Sequence, residues 1–417
     1  MLNSIKKIGP FITFGMFCLL FQPPIFSFNV MHLIGVLSII ILAIKNINTN
    51  DLLFVKRTFF SFLFLFIYLF IFVFALNNES FSSALFPVFY LIDVLPFSVV
   101  IVKKYQRNKT LTYFNLFEII IFCGLIQAAC SITAFLIPAV QEFFIDRLVA
   151  YGYSTNFSRF SSYRLFGFST GLTFIMPVIQ SVIAVLSIFC SNIKHKRRYI
   201  LYSLFLLLSA IINARVSIVV FGIGIIFFIL FAKTKISKKL FTCAFLAILG
   251  LTFVFVVLPF VEKVSPSTYQ WFISGTEEIQ SFASRDISGG YFAYVFNPDR
   301  YVLPNGSKGL LFGTGHNIMG GYELYGVYSD IGFINDIWLG GIIYVLFLYL
   351  FITFMALKLF KYSKEPLIKF FSLFMIGCYI VLNFKGIIFS MNGLTNLLVI
   401  VYLLNCAQYK SFKKKRA

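Results

Sequence analysis

The side chains best suited to chemistry lie in one polar stretch of an otherwise apolar chain. Residues 307–330 read SKGLLFGTGHNIMGGYELYGVYSD, a glycine-rich run around a single histidine. A neutral imidazole near pH 7 can accept a proton from a hydroxyl group, so His316 is the first candidate for a general base. Asp330 and Asp336 follow, and either could orient that histidine or bind a hydroxyl group. The alternatives are a hydrogen-bonded loop histidine and carboxylates that cap the start of a helix.

The glycines of this stretch allow positive φ angles and close approach of the backbone. GTG is not a dinucleotide-binding fingerprint, because no third glycine follows at the required spacing to open a βαβ unit. We therefore expect a pliable rim that brings His316 from a watery loop back to the membrane surface.

Arginine is the second candidate side chain. The basic residues away from the lysine-rich clusters are mostly arginines, namely Arg147, Arg159, Arg164, Arg215, Arg285 and Arg300. A guanidinium holds a phosphate or carboxylate through two hydrogen bonds, so this bias predicts an anionic ligand. Arg215 lies in the tight turn of IINARVSIVV, and Arg164 lies in SSYRLFGFSTG just before an apolar segment. Snorkelling of Arg215 to lipid phosphate, and an ordinary loop position for Arg164, are the alternatives.

The elements that must position these residues are transmembrane helices. The chain is 59% hydrophobic and 12% charged, with a mean hydropathy of +0.91, whereas soluble domains are about 45–50% apolar and about 25% charged. Apolar segments of about 20 residues, enough to cross about 30 Å of hydrocarbon, recur along the chain. They predict an all-α, polytopic integral membrane protein with about twelve spans. The predicted spans are 8–24, 28–44, 58–76, 84–102, 111–138, 171–190, 199–213, 216–232, 240–260, 333–357, 368–384 and 389–406.

The charges orient this topology with both termini in the cytoplasm. Most of the 35 lysines and arginines fall in alternate connections, which contain only two acids, Asp51 and Glu365. Such a distribution follows the positive-inside rule and accounts for the net charge of +20. Nucleic-acid binding is excluded as the explanation, because none of these short connections is a folded basic domain.

Two connections on the opposite side are long enough to build a site in water. The sequence predicts one transmembrane domain over 1–417, with a moderate external loop at 139–170 and a large one at 261–332. The stretch SPSTYQWFISGTEEIQSFAS in the large loop predicts a short helix at the membrane interface, because Trp and Tyr favour that position. The seven cysteines stand singly, without a CxxC pair or a Cys/His cluster, so neither a disulfide framework nor a zinc site is indicated.

Two acids fall inside predicted spans, Asp93 and Glu118. Intramembrane acids are functional candidates by default, and a proton-coupled carrier would use them. A buried structural partner, for example an arginine, is the alternative. His32 falls in the second span and His195 in a cytoplasmic connection, which leaves His316 as the histidine expected on the external side.

The layout and motifs resemble the O-antigen polymerases of the Wzy type and the related O-antigen ligases. The resemblance is carried by LLFGTGHNIMGGYELYGVYSDIGFINDIWLGG, where Asp330-Ile331-Gly332 is followed by Gly340 and Gly341. YRLFGFSTG and NARVSIVV resemble the arginine-bearing positions of the family. The likeness is specific over about fifty residues and otherwise extends to the order of spans and loops.

The resemblance implies an enzyme of the bacterial inner membrane whose active site faces the periplasm. It would join oligosaccharide repeat units carried on undecaprenyl diphosphate, alongside a flippase and a chain-length regulator, without a metal ion or another cofactor. Arg164 and Arg215 would hold the diphosphate leaving group, and Arg285 and Arg300 would hold diphosphate or glycan. His316, aided by Asp330 or Glu323, would activate the acceptor hydroxyl. It should then lie within one diphosphate-sized pocket of Arg164 and Arg215.

Two other functions stay open at this point. An O-antigen ligase would transfer the finished polymer to a lipid A core, and the GTGHN stretch fits that pattern as well. A flippase, which belongs to a different class, has a similar length and number of spans. The large loop at 261–332 argues against a flippase, because flippases generally lack one.

Overall fold

All regular secondary structure in the described part of the chain is helical. A computed structural model describes residues 1–26, 28–45, 53–75, 85–152, 167–171, 174–232, 234–284, 297–316, 318, 328–389 and 392–414. Over these ranges it contains no β-strand. The all-α class is therefore confirmed for the described part of the chain.

The helices follow the apolar segments closely. In chain order they are α1 (Leu2–Ile8), α2 (Pro10–Phe21), α3 (Val30–Ile44), α4 (Lys56–Leu69), α5 (Phe86–Phe89), α6 (Leu95–Arg107), α7 (Tyr113–Leu136), α8 (Pro138–Ala150), α9 (Ile175–Lys194), α10 (Arg198–Asn213), α11 (Val216–Phe231), α12 (Ile236–Thr252), α13 (Leu258–Val264), α14 (Pro266–Ala283), α15 (Gly306–Phe312), α16 (Gly332–Tyr362), α17 (Pro366–Leu382) and α18 (Gly393–Lys414). A turn of π-helix at Phe70–Ala75 continues α4. Two further π-helical turns join α5 to α6, at Tyr90–Val94, and α12 to α13, at Phe253–Val257.

Within the described residues, six helices are long and apolar enough to cross a membrane. They are Lys56–Val73, Phe86–Arg107, Tyr113–Leu136, Ile175–Lys194, Lys239–Val264 and Gly332–Tyr362. The pair α1 and α2 makes a seventh if a helix bent by 104° counts as one span. These helices are consistent with a multi-pass membrane protein. The predicted number of about twelve spans and their orientation stay predictions.

The remaining predicted spans coincide with shorter apolar helices. These are Val30–Ile44, Arg198–Asn213, Val216–Phe231, Pro366–Leu382 and Gly393–Tyr409. At 1.5 Å per residue they rise about 22–26 Å, which is less than the roughly 30 Å of a hydrocarbon core. Their length alone does not make them membrane spans.

The helices group into two compact units. Unit 1 contains residues 1–22, 29–116 and 295–417. Its helix α16 packs on α4, α15, α17 and α18, and α3 packs on α6 and on the π-helical turn before it. The predicted single transmembrane domain stays a prediction, because these units describe packing and not the position of a membrane.

Unit 2 contains residues 23–28 and 117–294. Its central helix is α9, which is buried along nearly its whole length and packs on α10 and α11. Most of the apolar residues of the segment 239–264 are exposed instead. Both long loops of the sequence contain helix: α8 occupies the first part of 139–170, and α14 begins at the Ser-Pro of the predicted interfacial helix.

The contact between α9 and α11 depends on a glycine, which gives a first prediction. A Cβ at Gly224 would lie 2.6 Å from Cγ1 of Val185, whereas a Cβ at Gly222 on the same helix would meet nothing within 4 Å. We expect Gly224→Leu to destabilise the protein by about 1–3 kcal/mol through overpacking. Thermal unfolding in detergent should show a lower Tm for Gly224→Leu than for the matched control Gly222→Leu. Equal Tm values for the two variants would contradict this packing.

Candidate active site

The candidate site is built around a break in helix α16. Gly341 has φ 74° and ψ −179°, a backbone conformation that is essentially restricted to glycine. The break separates a short first part, 332–340, from a second part, 342–362, which is about 30 Å long at 1.5 Å per residue. The predicted span 333–357 is therefore interrupted at Gly341, and the helix after the break reaches membrane length only because it continues to Tyr362.

The carbonyl groups at the break accept hydrogen bonds from outside the helix. Trp338 O accepts from Thr314 N at 2.7 Å, and Leu339 O accepts from Gly315 N at 3.1 Å. Gly340 O accepts from the hydroxyl of Tyr68 at 2.8 Å. These bonds satisfy backbone groups that a broken helix cannot satisfy internally.

The glycines before His316 allow this backbone-to-backbone contact. Gly313 and Gly315 have φ angles of 78° and 84°. A Cβ at Gly313 would lie 2.6 Å from Gly340 N and from Leu339 O. The glycine-rich stretch thus docks α15 and the following turn on the broken helix, while the expected return of His316 to the membrane surface stays a prediction.

His316 comes directly after this docking contact and is half-buried. Two residues later, Ile318 packs with Ile331, Ile334 and Trp338 in a small apolar cluster, here called the Ile318 cluster. The ring of Tyr301 packs on its edge. Partial burial raises the pKa of the Tyr301 hydroxyl above its ordinary value, so this residue stays a neutral phenol.

Arg300 and Asp330 are joined through one tyrosine beside the same cluster. Nη1 of Arg300 donates to Tyr328 O at 3.0 Å, and its guanidinium lies 5.3 Å from the centre of the Tyr328 ring. The hydroxyl of Tyr328 donates to Oδ1 of Asp330. Each of these candidates is close in sequence to a residue of the Ile318 cluster or to one packed on it. Arg300 precedes Tyr301, His316 is two residues before Ile318, and Asp330 precedes Ile331.

Asp336 has a different environment from that expected for a capping residue. Its side chain is buried, and Oδ2 accepts from the hydroxyl of Tyr349 at 2.6 Å. The Tyr349 oxygen in turn accepts from Nδ2 of Asn383 at 2.8 Å. The capping interpretation of Asp336 is therefore wrong, since the carboxylate is turned into the unit and not toward a helix start.

Arg215 of unit 2 holds the loop helix α14. Its Nη2 donates to Trp271 O and, at 2.5 Å, to Oγ of Ser274, while the guanidinium lies 4.8 Å from the centre of the Trp271 ring. A Cβ at Gly275 would lie 2.7 Å from Nε of Arg215, so the helix approaches the side chain through a glycine. The snorkelling interpretation is incomplete, because this arginine is bound to protein acceptors.

Three of the other candidates lie outside the described residues, namely Arg164, Arg285 and Glu323. Arg215 belongs to unit 2, whereas His316, Asp330 and Arg300 belong to unit 1. The expected common pocket of His316, Arg164 and Arg215 therefore stays a prediction. No three His, Cys, Asp or Glu side chains gather as a metal site in the part of the chain that the structure describes.

The buried acid of α7 has the structural partners that the sequence left open. The Tyr199 hydroxyl donates to Oε1 of Glu118, and the half-exposed guanidinium of Arg198 lies 3.8 Å from the same oxygen. These contacts favour a structural role for Glu118. Tyr199, Tyr328 and Tyr349 have no signal in the sequence, because a tyrosine in an apolar helix looks like any other aromatic core residue.

Comparison of the chain with protein-family models, curated proteins and solved structures gives no match.

The break in α16 gives a second prediction. A Cβ at Gly341 would collide with the carbonyl group of Leu311 and adopt a strained φ, whereas Gly306 has a similar φ of 76° and nothing within 4 Å. Gly341→Ala and Gly306→Ala both place alanine at a positive φ, which costs about 1–3 kcal/mol in backbone strain. Gly341→Ala should lower the free energy of unfolding by more than this amount, because it adds the collision with Leu311. Limited proteolysis of the loop that contains α15, together with Tm, should show loosening only in Gly341→Ala. Equal cleavage rates in the two variants would rule out the docking contact.

Proposed function

We propose that this chain is a membrane glycosyltransferase that joins saccharide repeat units carried on undecaprenyl diphosphate. The proposal places it in the bacterial inner membrane with its reaction on the periplasmic side, as the resemblance to O-antigen polymerases implies. The single observation that supports it is the chain of contacts from Arg300 to Tyr328 O and from the Tyr328 hydroxyl to Asp330, next to Ile331, which packs with Ile318 two residues after His316. A base, a carboxylate and a fixed cation are the groups that such a transfer requires.

In the proposed reaction, a hydroxyl oxygen of the acceptor saccharide bonds to the anomeric carbon of the donor. The bond from that carbon to the diphosphate oxygen breaks, and its electron pair leaves with the lipid diphosphate. The hydroxyl proton passes to a histidine on the external side, for which His316, aided by Asp330 or Glu323, is the candidate from the sequence. Arg164 and Arg215 would neutralise the leaving diphosphate, with Arg285 and Arg300 on diphosphate or glycan.

The null strain gives the third prediction and the decisive test of the reaction class. If the chain polymerises, lipopolysaccharide of cells that lack it should carry a single repeat unit, because flipping and ligation continue. If it ligates or flips, no repeat unit should reach the lipid A core. Gel electrophoresis of lipopolysaccharide measures this directly, and long chains of normal length in the null strain would overturn the proposal.

Arg215 gives the fourth prediction. Arg215→Lys keeps the charge but loses two-point binding of phosphate, so chain elongation should fall about 10- to 100-fold, equivalent to about 1.5–3 kcal/mol for a charged hydrogen bond. Arg147→Lys on α8 is the control, because Arg147 contacts the Phe143 ring at 5.2 Å and has no proposed role. It should keep normal chain length.

A second variant separates ligand binding by Arg215 from its contact with α14. Ser274→Ala removes one acceptor of the guanidinium but leaves the arginine in place. If Arg215 binds the diphosphate, Ser274→Ala should retain most of the activity that Arg215→Lys loses. Equal losses in both variants, at equal protein level in the membrane, would reduce Arg215 to an anchor for the loop helix.

A further inference from the structure

The second candidate for a reactive site is Asp93, a carboxylate that the proposed mechanism does not use. It lies in the π-helical turn Tyr90–Val94, inside the candidate span Phe86–Arg107, and its side chain is fully buried. Turns of π-helix are rare and occur often at functional sites. An acid at such a position is costly to bury and needs a specific partner.

That partner is His32 on the neighbouring helix α3. Nδ1 of the imidazole lies 2.7 Å from Oδ2 of Asp93. The other carboxylate oxygen, Oδ1, has no hydrogen-bond partner in the described part of the chain. His32 is therefore the hydrogen-bond partner of the Asp93 carboxylate in the described part of the chain.

The surroundings hold the two side chains in place. A Cβ at Gly35, one turn after His32, would lie 2.6 Å from Ile92 O and 2.7 Å from Cα of Asp93, so only glycine lets α3 approach the π-helical turn this closely. The Phe89 ring lies 4.8 Å from the imidazole, centre to centre. Orientation of an imidazole by a buried carboxylate and by packing is how proteins fix its tautomer and direction.

The imidazole of His32 is partly exposed although the carboxylate of Asp93 is buried. The His32 side chain is 38% exposed and that of Asp93 is 0% exposed. His32 lies in the first turn of α3, which begins after Asn29, whose side chain accepts from Met31 N. In the orientation predicted from the charges, this end of α3 faces the external side. His316 is then not the only histidine near that side.

We propose that His32 and Asp93 form a proton-accepting dyad for a hydroxyl group of the saccharide substrate. This inference rests on the proposed glycosyl transfer and assigns the role of its base to His32, in place of His316, the candidate from the sequence. Nδ1–H of His32 donates to the carboxylate of Asp93, which leaves the Nε2 lone pair to accept a proton. The same division of roles, with an orienting acid and a proton-accepting imidazole, operates in Ser-His-Asp enzymes.

The step is balanced without another reagent. As the acceptor oxygen bonds to the anomeric carbon, its O–H bond breaks and the proton moves to Nε2 of His32. The imidazolium that forms is stabilised by the adjacent carboxylate of Asp93, which keeps its charge. The electron pair of the broken glycosyl–oxygen bond leaves with the lipid diphosphate, and the proton later passes from His32 to water.

The kinetic test uses the full-length protein in lipid nanodiscs, with lipid-linked repeat units extracted from the null strain as substrate. His32→Gln and Asp93→Asn should each lower kcat about 10²- to 10⁴-fold, the usual contribution of a general base, with KM changed less than about threefold. Asp93→Glu should restore part of the rate, because it keeps the carboxylate. His195→Asn is the control, since His195 ends α9 in a left-handed conformation that asparagine tolerates.

A chemical test reports on the dyad without any glycan. Diethyl pyrocarbonate acylates neutral imidazoles, and the chain has only three histidines, so mass spectrometry can follow each one. We expect Asp93→Asn to slow acylation of His32 several-fold and to leave His195 unchanged. Unchanged acylation of His32 would show that the carboxylate does not orient it and would overturn the inference.

The outcomes separate this inference from the proposed function. Retention of kcat by His32→Gln, together with its loss in His316→Gln, would overturn the dyad as the base and leave the glycosyltransferase in place. Slower acylation in Asp93→Asn combined with normal long chains in the null strain would overturn the saccharide role and the proposed function together. A loss of kcat in both His32→Gln and Asp93→Asn at a normal Tm would support the dyad, because a merely structural contact would lower Tm first.

Discussion

Backbone groups inside an apolar bundle must have hydrogen-bond partners, and the candidate site of this protein follows from how one helix meets that requirement. The break at Gly341 leaves three successive carbonyl groups, those of Trp338, Leu339 and Gly340, in need of external donors. A free carbonyl in such surroundings costs several kcal/mol. The turn after α15 and the hydroxyl of Tyr68 supply the donors, so the glycine-rich loop is tied to the helix and His316 is placed beside it.

The same requirement for hydrogen-bond partners applies to the buried charged side chains. Asp336 accepts from a tyrosine hydroxyl and Asp93 from an imidazole, while Glu118 accepts from a hydroxyl with Arg198 close by. A carboxylate and a guanidinium that are both fully desolvated gain little over their hydration. Neutral donors satisfy a buried acid at lower cost, and they leave Arg215 and Arg300 to the loops, where their guanidinium groups bind backbone carbonyls and aromatic rings.

Much of the helical layout was predictable from the sequence, because long apolar segments are typical of helices that cross a membrane. Each predicted span coincides with an apolar helix, although among the described residues six helices, or seven with the bent pair, have the length to cross a membrane. Periodicity could not reveal the breaks. A Gly-Gly pair in a hydrophobic run is compatible with a straight helix, and only the contact with Leu311 and Tyr68 shows why α16 bends at Gly341.

The sequence by itself determined the class of the protein, the helical segments and the polar stretch around His316, because these depend on composition and on local spacing. Tertiary structure alone decided which side chains meet. Asp93 and His32 are 61 residues apart, and Tyr68 reaches a carbonyl 272 residues away. Such contacts arise from helix packing, in which one glycine sets the distance between two helices and thereby the neighbour of a buried charge. A spacing rule carries no information about that distance, and for this reason the His32–Asp93 dyad emerged only from the fold.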